Sequence, residues 1–196
     1  MFLSISKNAC TSLKALLFEL TYGRPYENAD GFGIHDFWGY GEHPGRIIRR
    51  GNEAALREHI NFCRFAAYRD PVERFLSVYY NKVLYPPQPH GFFSRHDILN
   101  LSLDRFIEVT EEVLKIDDPL QIDEHLRPQH QYYAASEVNH IVHIQNLDRY
   151  LFGEYGITGV PRLNRATGPN ITPTRPQIDK IKHLYAQDYR IVPTIV

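Results

Sequence analysis

The sequence predicts an α/β domain in which a small parallel sheet is flanked by helices. Two apolar strand-like runs, residues 1–6 and 62–68, each lead into a polar turn and then into a helical pattern. A third apolar run, residues 138–144, supplies one more strand. Strands that are separated by helical segments pair in parallel. Because 196 residues suffice for one domain with its own core, we predict a single domain over residues 1–196.

The first element is a strand over residues 1–6, and a helix follows the polar turn after it. The helix is predicted by leucines at the i, i+3, i+4, i+7 spacing of an apolar stripe, namely Leu13, Leu16, Leu17 and Leu20. A helix that starts at such a turn directs unpaired N–H groups and the positive end of its dipole at any ligand above it. The turn therefore predicts an anion site. An ordinary connection with Ser or Thr as N-cap is the alternative.

The side chains of this turn suit a phosphate or sulfate group. Lys7 supplies a positive charge, and Thr11 and Ser12 supply hydroxyl donors. The residues that would line the cradle are Asn8, Ala9, Cys10 and Thr11. A nucleotide P-loop is excluded because the segment has no glycine and its lysine comes first. A cysteine-dependent phosphatase is excluded because Leu16 stands where that chemistry needs an arginine.

A second strand, turn and helix begins at the apolar run 62–68. The segment Asp70-Pro71-Val72-Glu73 is a strong helix start, with Asp as N-cap, Pro at the first position and Glu at the third. Ser77 lies two helical turns beyond the N-cap on the same side, so Arg69 and Ser77 can meet one ligand. In the alternative, Arg69 pairs with a neighbouring carboxylate and Ser77 is a surface residue.

The remaining chain reads as helical at residues 53–60, 103–114 and 177–187 and around residues 128–135, with a strand at residues 138–144. These elements, together with the phosphate-binding turns, suit a three-layer α/β domain of P-loop nucleotide-kinase-like topology.

Composition limits the partners. The net charge of −1 and the pI near 6.8 provide no broad basic field, which argues against nucleic acid and anionic membranes. The chain has two cysteines, neither in a zinc-type spacing, so we expect no disulfide framework and no zinc site of that kind. It shows no signal peptide and no apolar run of membrane-span length, and we therefore expect a cytoplasmic protein.

Two segments resemble the donor-binding motifs of PAPS-dependent sulfotransferases, where PAPS is 3′-phosphoadenosine 5′-phosphosulfate. Residues 7–14, Lys-Asn-Ala-Cys-Thr-Ser-Leu-Lys, resemble the 5′-phosphosulfate loop. Residues 68–77, Tyr-Arg-Asp-Pro-Val-Glu-Arg-Phe-Leu-Ser, resemble the 3′-phosphate motif. The resemblance is closest to the carbohydrate sulfotransferases of the Golgi type, sulfotransferase family 2. That family carries a proline just before the loop lysine, where this chain has Ser6.

Two later segments extend the resemblance over most of the chain. Residues 123–129, Asp-Glu-His-Leu-Arg-Pro-Gln, resemble the Asp-x-His-x-x-Pro-Gln segment of the same enzymes. Residues 143–147 stand where these enzymes have a Phe-Glu-Asn-Leu-like run, with Gln145 in place of the acid. The Arg-Asp-Pro-x-x-Arg-x-x-Ser motif is the most specific of the four.

The resemblance implies roles for the cationic residues. Lys7 would bind the 5′-phosphosulfate and steady the departing phosphate, supported by the hydroxyls of the loop. Arg69 and Ser77 would hold the 3′-phosphate. Arg165, in a polar loop near the end of the chain, would contact the 3′-phosphate or the adenine. No metal is required if these cations neutralise the charge.

The acceptor hydroxyl needs a general base, and we favour His35 for it. Residues 35–38 resemble the His-x-x-Trp stretch that carries the base in heparan 6-O-sulfotransferases, and Asp36 could orient the ring. A structural histidine packed on Trp38 is the alternative. His125 and His130 are further candidates for the base. The segment 123–129 could instead shape the acceptor cleft, through His125, Arg127 and Gln129.

The expected activity is transfer of a sulfuryl group from PAPS to a hydroxyl of a carbohydrate or glycoconjugate by in-line displacement. The expected partners are this nucleotide donor and the saccharide acceptor. A small-molecule kinase that uses ATP is one alternative. A non-catalytic nucleotide-binding or saccharide-binding module is another. The composition does not name the acceptor.

Overall fold

The structure is a computed structural model that describes residues 2–27, 33–34, 38, 63–85, 92–95, 98–133, 137–161, 163 and 171–193. The helix predicted at residues 53–60 lies outside this part of the chain, and so do His35, Asp36 and Arg165.

The centre of the described structure is a parallel sheet of three strands in the order β1-β2-β3. The strands are β1 (Phe2–Leu3), β2 (Phe65–Tyr68) and β3 (His140–His143). Phe65 of β2 is aligned with Phe2 on one side and with His140 on the other. All four residues of β2 are buried, as expected of the middle strand of a parallel sheet. The predicted small parallel sheet is thus confirmed, with strands shorter than the apolar runs that predicted them.

Helices and short turns connect and cover the strands. The α-helices are α1 (Cys10–Tyr22), α2 (Pro71–Val78), α3 (Phe92–Arg95), α4 (Leu103–Val113), α5 (Leu147–Tyr155) and α6 (Arg175–Leu184). A π-helical turn, Tyr79–Leu84, continues α2. Short 3₁₀ turns lie at Gln129–Gln131, Ile144–Asn146 and Asp188–Arg190.

The helix predicted around residues 128–135 is wrong over the described residues 128–133, where only the 3₁₀ turn Gln129–Gln131 forms. Gln129 and His130 donate their main-chain N–H groups to the carboxylate of Asp188 instead of entering a longer helix. The last long helix begins two residues earlier than predicted and ends at Leu184.

Two apolar clusters form most of the core. One joins α1 and α5 to the sheet and includes Leu13, Leu16, Phe65, Val142 and Tyr150. The other joins α2, α4 and α6 and includes Phe75, Phe106 and Ile181. The described structure is therefore a mixed α/β fold in which helices flank a small parallel sheet, as the sequence predicts.

One part of the predicted apolar stripe of α1 is wrong. Leu20 is 59% exposed, although its spacing predicted burial. The buried face of the helix instead runs through Ala15 and Phe18, because Phe18 packs against Ile34 and Trp38 beside the helix.

Candidate active site

The turn between β1 and α1 has an unusual main-chain conformation. Lys7 and Ala9 have positive φ angles of 69° and 59°. This left-handed conformation costs a non-glycine residue roughly 1 kcal/mol or more. Asn8 closes the turn by donating its N–H to the carbonyl of Ile5 at 3.1 Å. The loop is thus held in a shape that its residues do not favour intrinsically.

The N-terminus of α1 carries no side-chain cap. The N-cap residue is Ala9, which has no hydrogen-bonding side chain, so the alternative of a Ser or Thr N-cap is wrong. Cys10, Thr11 and Ser12 occupy the first three helical positions. Main-chain N–H groups at these positions have no intrahelical acceptor, and together with the helix dipole they favour an anion. The geometry of this turn therefore suits the anion site that the sequence predicts.

Buried polar side chains hold the loop from below. Asn8 is 1% exposed, and its Nδ2 donates to the carbonyl of Ala67 at 2.8 Å and to Oε1 of Gln129 at 2.5 Å. The amide nitrogen of Asn8 therefore faces β2, so the part of Asn8 that is left to line the predicted cradle is its main chain. Asn8 therefore anchors the loop between β1 and α1 to the middle strand, β2.

Arg74 is the second support of the loop, and the sequence analysis gave it no role. Its side chain is 2% exposed. Nε donates to the carbonyl of Ser6 at 3.0 Å, and Nη2 donates to the carbonyl of Glu124 at 3.2 Å. The second arginine of the Arg-Asp-Pro-x-x-Arg motif was the signal that could have identified it.

Arg69 lies beside the loop. Its Nη1 donates to the carbonyl of Lys7 at 3.3 Å, and its Nε lies 3.5 Å from Oε2 of Glu73. The ion pair that the alternative interpretation expected is therefore present, and the same guanidinium also reaches the loop. The ends of β1 and β2 thus bring Lys7 and Arg69 together.

The electrostatics of the site are dominated by positive charge. Burial, followed by the positive charge of Lys82, lowers the pKa of Lys7 to about 8. Arg69 and Arg74 act in the same direction, and Cys10 acts against them. Within the described residues, Lys7 has no carboxylate at ion-pair distance. Like charges held close together are unfavourable in the free protein, and an anion bound beside Lys7 would relieve that cost.

The start of α2 is as predicted. Asp70 is the N-cap, and its Oδ1 accepts a hydrogen bond from the N–H of Glu73 at 3.1 Å. Ser77 is partly buried in the last turn of the helix, and its carbonyl accepts from Nδ2 of Asn81 at 3.0 Å. The π-helical turn that follows carries Lys82, a cation of the site that the sequence analysis did not select.

Ser12 links α1 to the start of the polar loop that carries Arg165, residues 162–170, called the late loop below. Its hydroxyl is largely buried and accepts a hydrogen bond from the N–H of Leu163 at 3.2 Å. Leu163, two positions before Arg165 in the sequence, therefore lies against the first turn of α1.

Residues on either side of His35 pack on α1. Ile34 and Trp38 are buried against Phe18, and Nε1 of Trp38 donates to the carbonyl of Lys14 at 3.1 Å. Ile34 and Trp38 therefore both lie against α1, the helix that begins at the predicted anion site.

His125 forms a pair with Asp123. Its Nδ1 lies 2.9 Å from Oδ1 of Asp123, and its main-chain N–H donates to the same oxygen at 2.8 Å. Burial raises the pKa of Asp123, but the hydrogen bonds and charge of His125 outweigh burial, so that the net shift is downward. Lys82 also lowers this pKa, and the same lysine acts on Lys7.

Arg127 and Gln129, which were predicted to contact the acceptor, both make hydrogen bonds to protein groups. Arg127 donates from Nη2 to the carbonyl of Ile122 at 3.0 Å and lies over the ring of Tyr132. Gln129 is completely buried, and its amide pairs with the main chain of Arg69. Gln129 supports the segment from inside, whereas Arg127 is only partly buried and its Nε has no hydrogen-bond partner among the described residues. His130 likewise pairs with Asp188, at 2.7 Å from Nδ1 to Oδ1.

The described residues contain no group of three or more His, Cys, Asp or Glu side chains that could hold a metal ion. None of the helices in the described part of the chain is long and apolar enough to cross a membrane.

Comparison with known proteins identifies the family of the chain. The family model described as the sulfotransferase family matches residues 1–172, which include both strand-turn-helix units and the segment 123–129. No curated protein and no solved structure matches the chain significantly. The family match covers most of the chain and coincides with the parallel sheet and the cationic loop described above. The chain belongs to the sulfotransferase family.

Proposed function

We propose that this sulfotransferase uses PAPS as its donor and transfers the sulfuryl group to a hydroxyl of a carbohydrate or glycoconjugate. The observation that supports this most strongly is the contact between Lys7 and Arg69 at the uncapped N-terminus of α1. A donor with phosphate groups at both ends of its ribose needs two neighbouring cationic sites, and these two residues come from the two predicted motifs.

The loop residues take the 5′ end of the donor. Lys7, the hydroxyls of Thr11 and Ser12 and the N–H groups at the start of α1 bind the phosphosulfate. The main chain of Ala9 and Cys10 completes the cradle, and Asn8 holds the cradle in place. Arg69 and Ser77 bind the 3′-phosphate, with Arg165 as a further contact from the late loop.

The reaction is an in-line displacement at sulfur. The acceptor oxygen forms a bond to sulfur, the bond from sulfur to the bridging oxygen breaks, and adenosine 3′,5′-bisphosphate leaves. Lys7 stabilises the negative charge that develops on the departing phosphate, because fixed positive charge in a partly buried site acts strongly on a transition state. The cations of the site supply this stabilisation without a metal ion.

The proton of the acceptor hydroxyl goes to a histidine. His35 is the proposed base, since its neighbours Ile34 and Trp38 pack along α1. His125 is the competing candidate. Asp123 fixes its Nδ1, which leaves Nε2 as the other ring nitrogen for a proton, an arrangement typical of histidine bases.

A transfer assay with sulfur-labelled PAPS and a panel of saccharides tests the proposal. The wild-type chain should label at least one hydroxyl-bearing acceptor. His35→Ala should lower kcat by about a hundredfold or more while the affinity for adenosine 3′,5′-bisphosphate stays within about twofold. His125→Ala is the matched variant and should retain most of kcat.

Other outcomes reassign the roles. If the loss of kcat follows His125 instead, the base is His125. If the wild-type chain binds the bisphosphate and labels no saccharide, the carbohydrate acceptor is wrong.

A further inference from the structure

The 3₁₀ turn Asp188–Arg190 lies beyond residues 1–172, the part of the chain that the family model matches. It follows α6, which packs against α2 and α4. Asp188 is completely buried, although it carries a carboxylate. A buried carboxylate is costly unless several donors satisfy it, so its partners indicate what the turn holds in place.

The carboxylate of Asp188 binds the segment that contains Gln129. Oδ2 accepts the main-chain N–H of Gln129 at 2.8 Å. Oδ1 accepts the main-chain N–H of His130 at 2.9 Å and lies 2.7 Å from Nδ1 of the same residue. Hydrogen bonds to a charged acceptor are stronger than neutral ones. The main chain at Gln129 is therefore fixed by a residue 59 positions further along the chain.

Gln129 in turn joins the two halves of the donor site. Its Oε1 accepts the N–H of Arg69 at 3.1 Å, and its Nε2 donates to the carbonyl of Arg69 at 2.8 Å. The same Oε1 accepts Nδ2 of Asn8 at 2.5 Å. One amide side chain thus holds the main chain of the 3′-phosphate motif and the side chain that anchors the loop of Lys7.

We propose that Asp188 is a positioning residue of the donor site, which acts through Gln129 to set the distance between the loop of Lys7 and Arg69. The inference rests on the proposed function, because it assumes that both cations bind one donor. The neighbouring Tyr189 adds a second link, since its hydroxyl donates to Oδ2 of Asp70 at 3.2 Å. The C-terminal turn therefore contacts both the segment 123–129 and the start of α2.

The test compares Asp188→Asn with Asp179→Asn in the full chain. Asp179 is the matched control, because it is an exposed carboxylate on α6 that pairs only with Arg175 among the described residues. Titration calorimetry with adenosine 3′,5′-bisphosphate gives both the dissociation constant and the number of sites. Asp188→Asn should raise the dissociation constant about tenfold with the stoichiometry still near one. Asp179→Asn should change it less than about twofold.

The number of binding sites measured for Asp188→Asn distinguishes a positioning role of Asp188 from a loss of folded protein. A purely structural role would lower the number of sites and leave the dissociation constant of the remaining folded molecules unchanged, and that result would overturn the proposal. If the wild-type chain itself binds no bisphosphate, the proposed function fails rather than the role of Asp188.

A measurement on the wild-type chain covers the case in which Asp188→Asn does not fold. Coupling between two sites is reciprocal. Saturation with adenosine 3′,5′-bisphosphate should therefore slow hydrogen exchange at residues 129–131 and 188–190 as well as at the loop, residues 6–12. Protection at the loop without any change at residues 129–131 and 188–190 would contradict the proposal.

Discussion

Arg69 donates a hydrogen bond from Nη1 to the main-chain carbonyl of Lys7 at 3.3 Å, although 62 positions separate the two residues in the sequence. The contact arises because β1 and β2 are parallel neighbours, so that the chain leaves both strands at the same edge of the sheet. Each strand is followed by a turn and the N-terminus of a helix. This relationship brings the two cationic motifs together, as the proposed binding of a donor with two anionic groups requires.

Replacing Lys7 should weaken donor binding and increase the stability of the free protein. Lys7→Met should weaken binding of adenosine 3′,5′-bisphosphate about tenfold or more, because it removes a charge from the phosphate site. The same change should stabilise the free protein at pH 7 by about 1 kcal/mol, because the folded state holds this lysine partly buried among other cations. Calorimetry and urea denaturation measure the two effects.

The stability gain from Lys7→Met should depend on pH. The pKa of Lys7 is about 8 in the folded protein, against 10.5 for an ordinary lysine. The unfolded chain therefore binds more protons between these values, and wild-type stability rises across that interval. The advantage of the variant should be largest below pH 8 and should shrink as the pH approaches 10.5. A gain that grows with pH would contradict the assignment.

Donor affinity should also fall as the pH rises through about 8, because Lys7 loses its charge there while the phosphates stay fully ionised. Lys7→Arg should flatten this dependence, since arginine remains charged. Lys82→Met removes the strongest repelling charge, so it should raise the pKa of Lys7 and move the fall in affinity to higher pH. Calorimetric titrations between pH 7 and 10 measure the midpoint, and a downward shift in Lys82→Met would be inconsistent with the described cluster.

Arg74 should matter more to stability than any exposed arginine of the described chain. Arg74→Met removes the donor to the partly buried carbonyl of Ser6 and one of the two donors to the carbonyl of Glu124, which also accepts from the hydroxyl of Tyr132, and we expect a loss of about 2 kcal/mol in the free energy of unfolding. Arg105→Met is the control, because that side chain is exposed and pairs with Glu108. Its effect should stay below about 0.5 kcal/mol. Equal losses in the two variants would show that Arg74 is not a support of the loop.

Two N-cap substitutions should have similar effects on stability and different effects on binding. Asp70→Ala and Ser102→Ala each remove one capping hydrogen bond, at the starts of α2 and α4, and each loss should cost about 1 kcal/mol. Asp70→Ala also removes the acceptor of the Tyr189 hydroxyl, an exposed hydrogen bond that should add less than the cap itself. Asp70 directly follows Arg69, so its loss should also weaken binding of the bisphosphate several-fold. Ser102→Ala should leave that affinity unchanged. A loss of affinity in Ser102→Ala would mean that binding follows overall stability.

Local signals in the sequence predicted the parts of the fold that depend on neighbouring residues. Apolar spacing predicted α1, and the segment Asp70-Pro71-Val72-Glu73 predicted the start of α2, because both depend on residues within a few positions. The predicted burial of Leu20 was wrong. Phe18 packs on Ile34 and Trp38, and this contact, which the spacing does not show, determines the buried face of α1.

The supports of the site could not be predicted in the same way. Gln129 contacts Asn8 across 121 positions and Arg69 across 60 positions. Such pairings depend on the topology of the whole sheet. The motif around Gln129 indicated that the residue matters. The sequence alone does not distinguish a buried glutamine that joins two segments from a glutamine that contacts the acceptor. Asp188 stands in no motif, and only the folded chain shows its three hydrogen bonds.

The central claim is that Lys7 and Arg69 bind opposite ends of one donor, and calorimetry with adenosine 3′,5′-bisphosphate against ADP tests it most directly. The bisphosphate should bind more tightly than ADP, and Arg69→Met should remove most of that preference. Tighter binding of ADP, or an unchanged preference in Arg69→Met, would contradict the account.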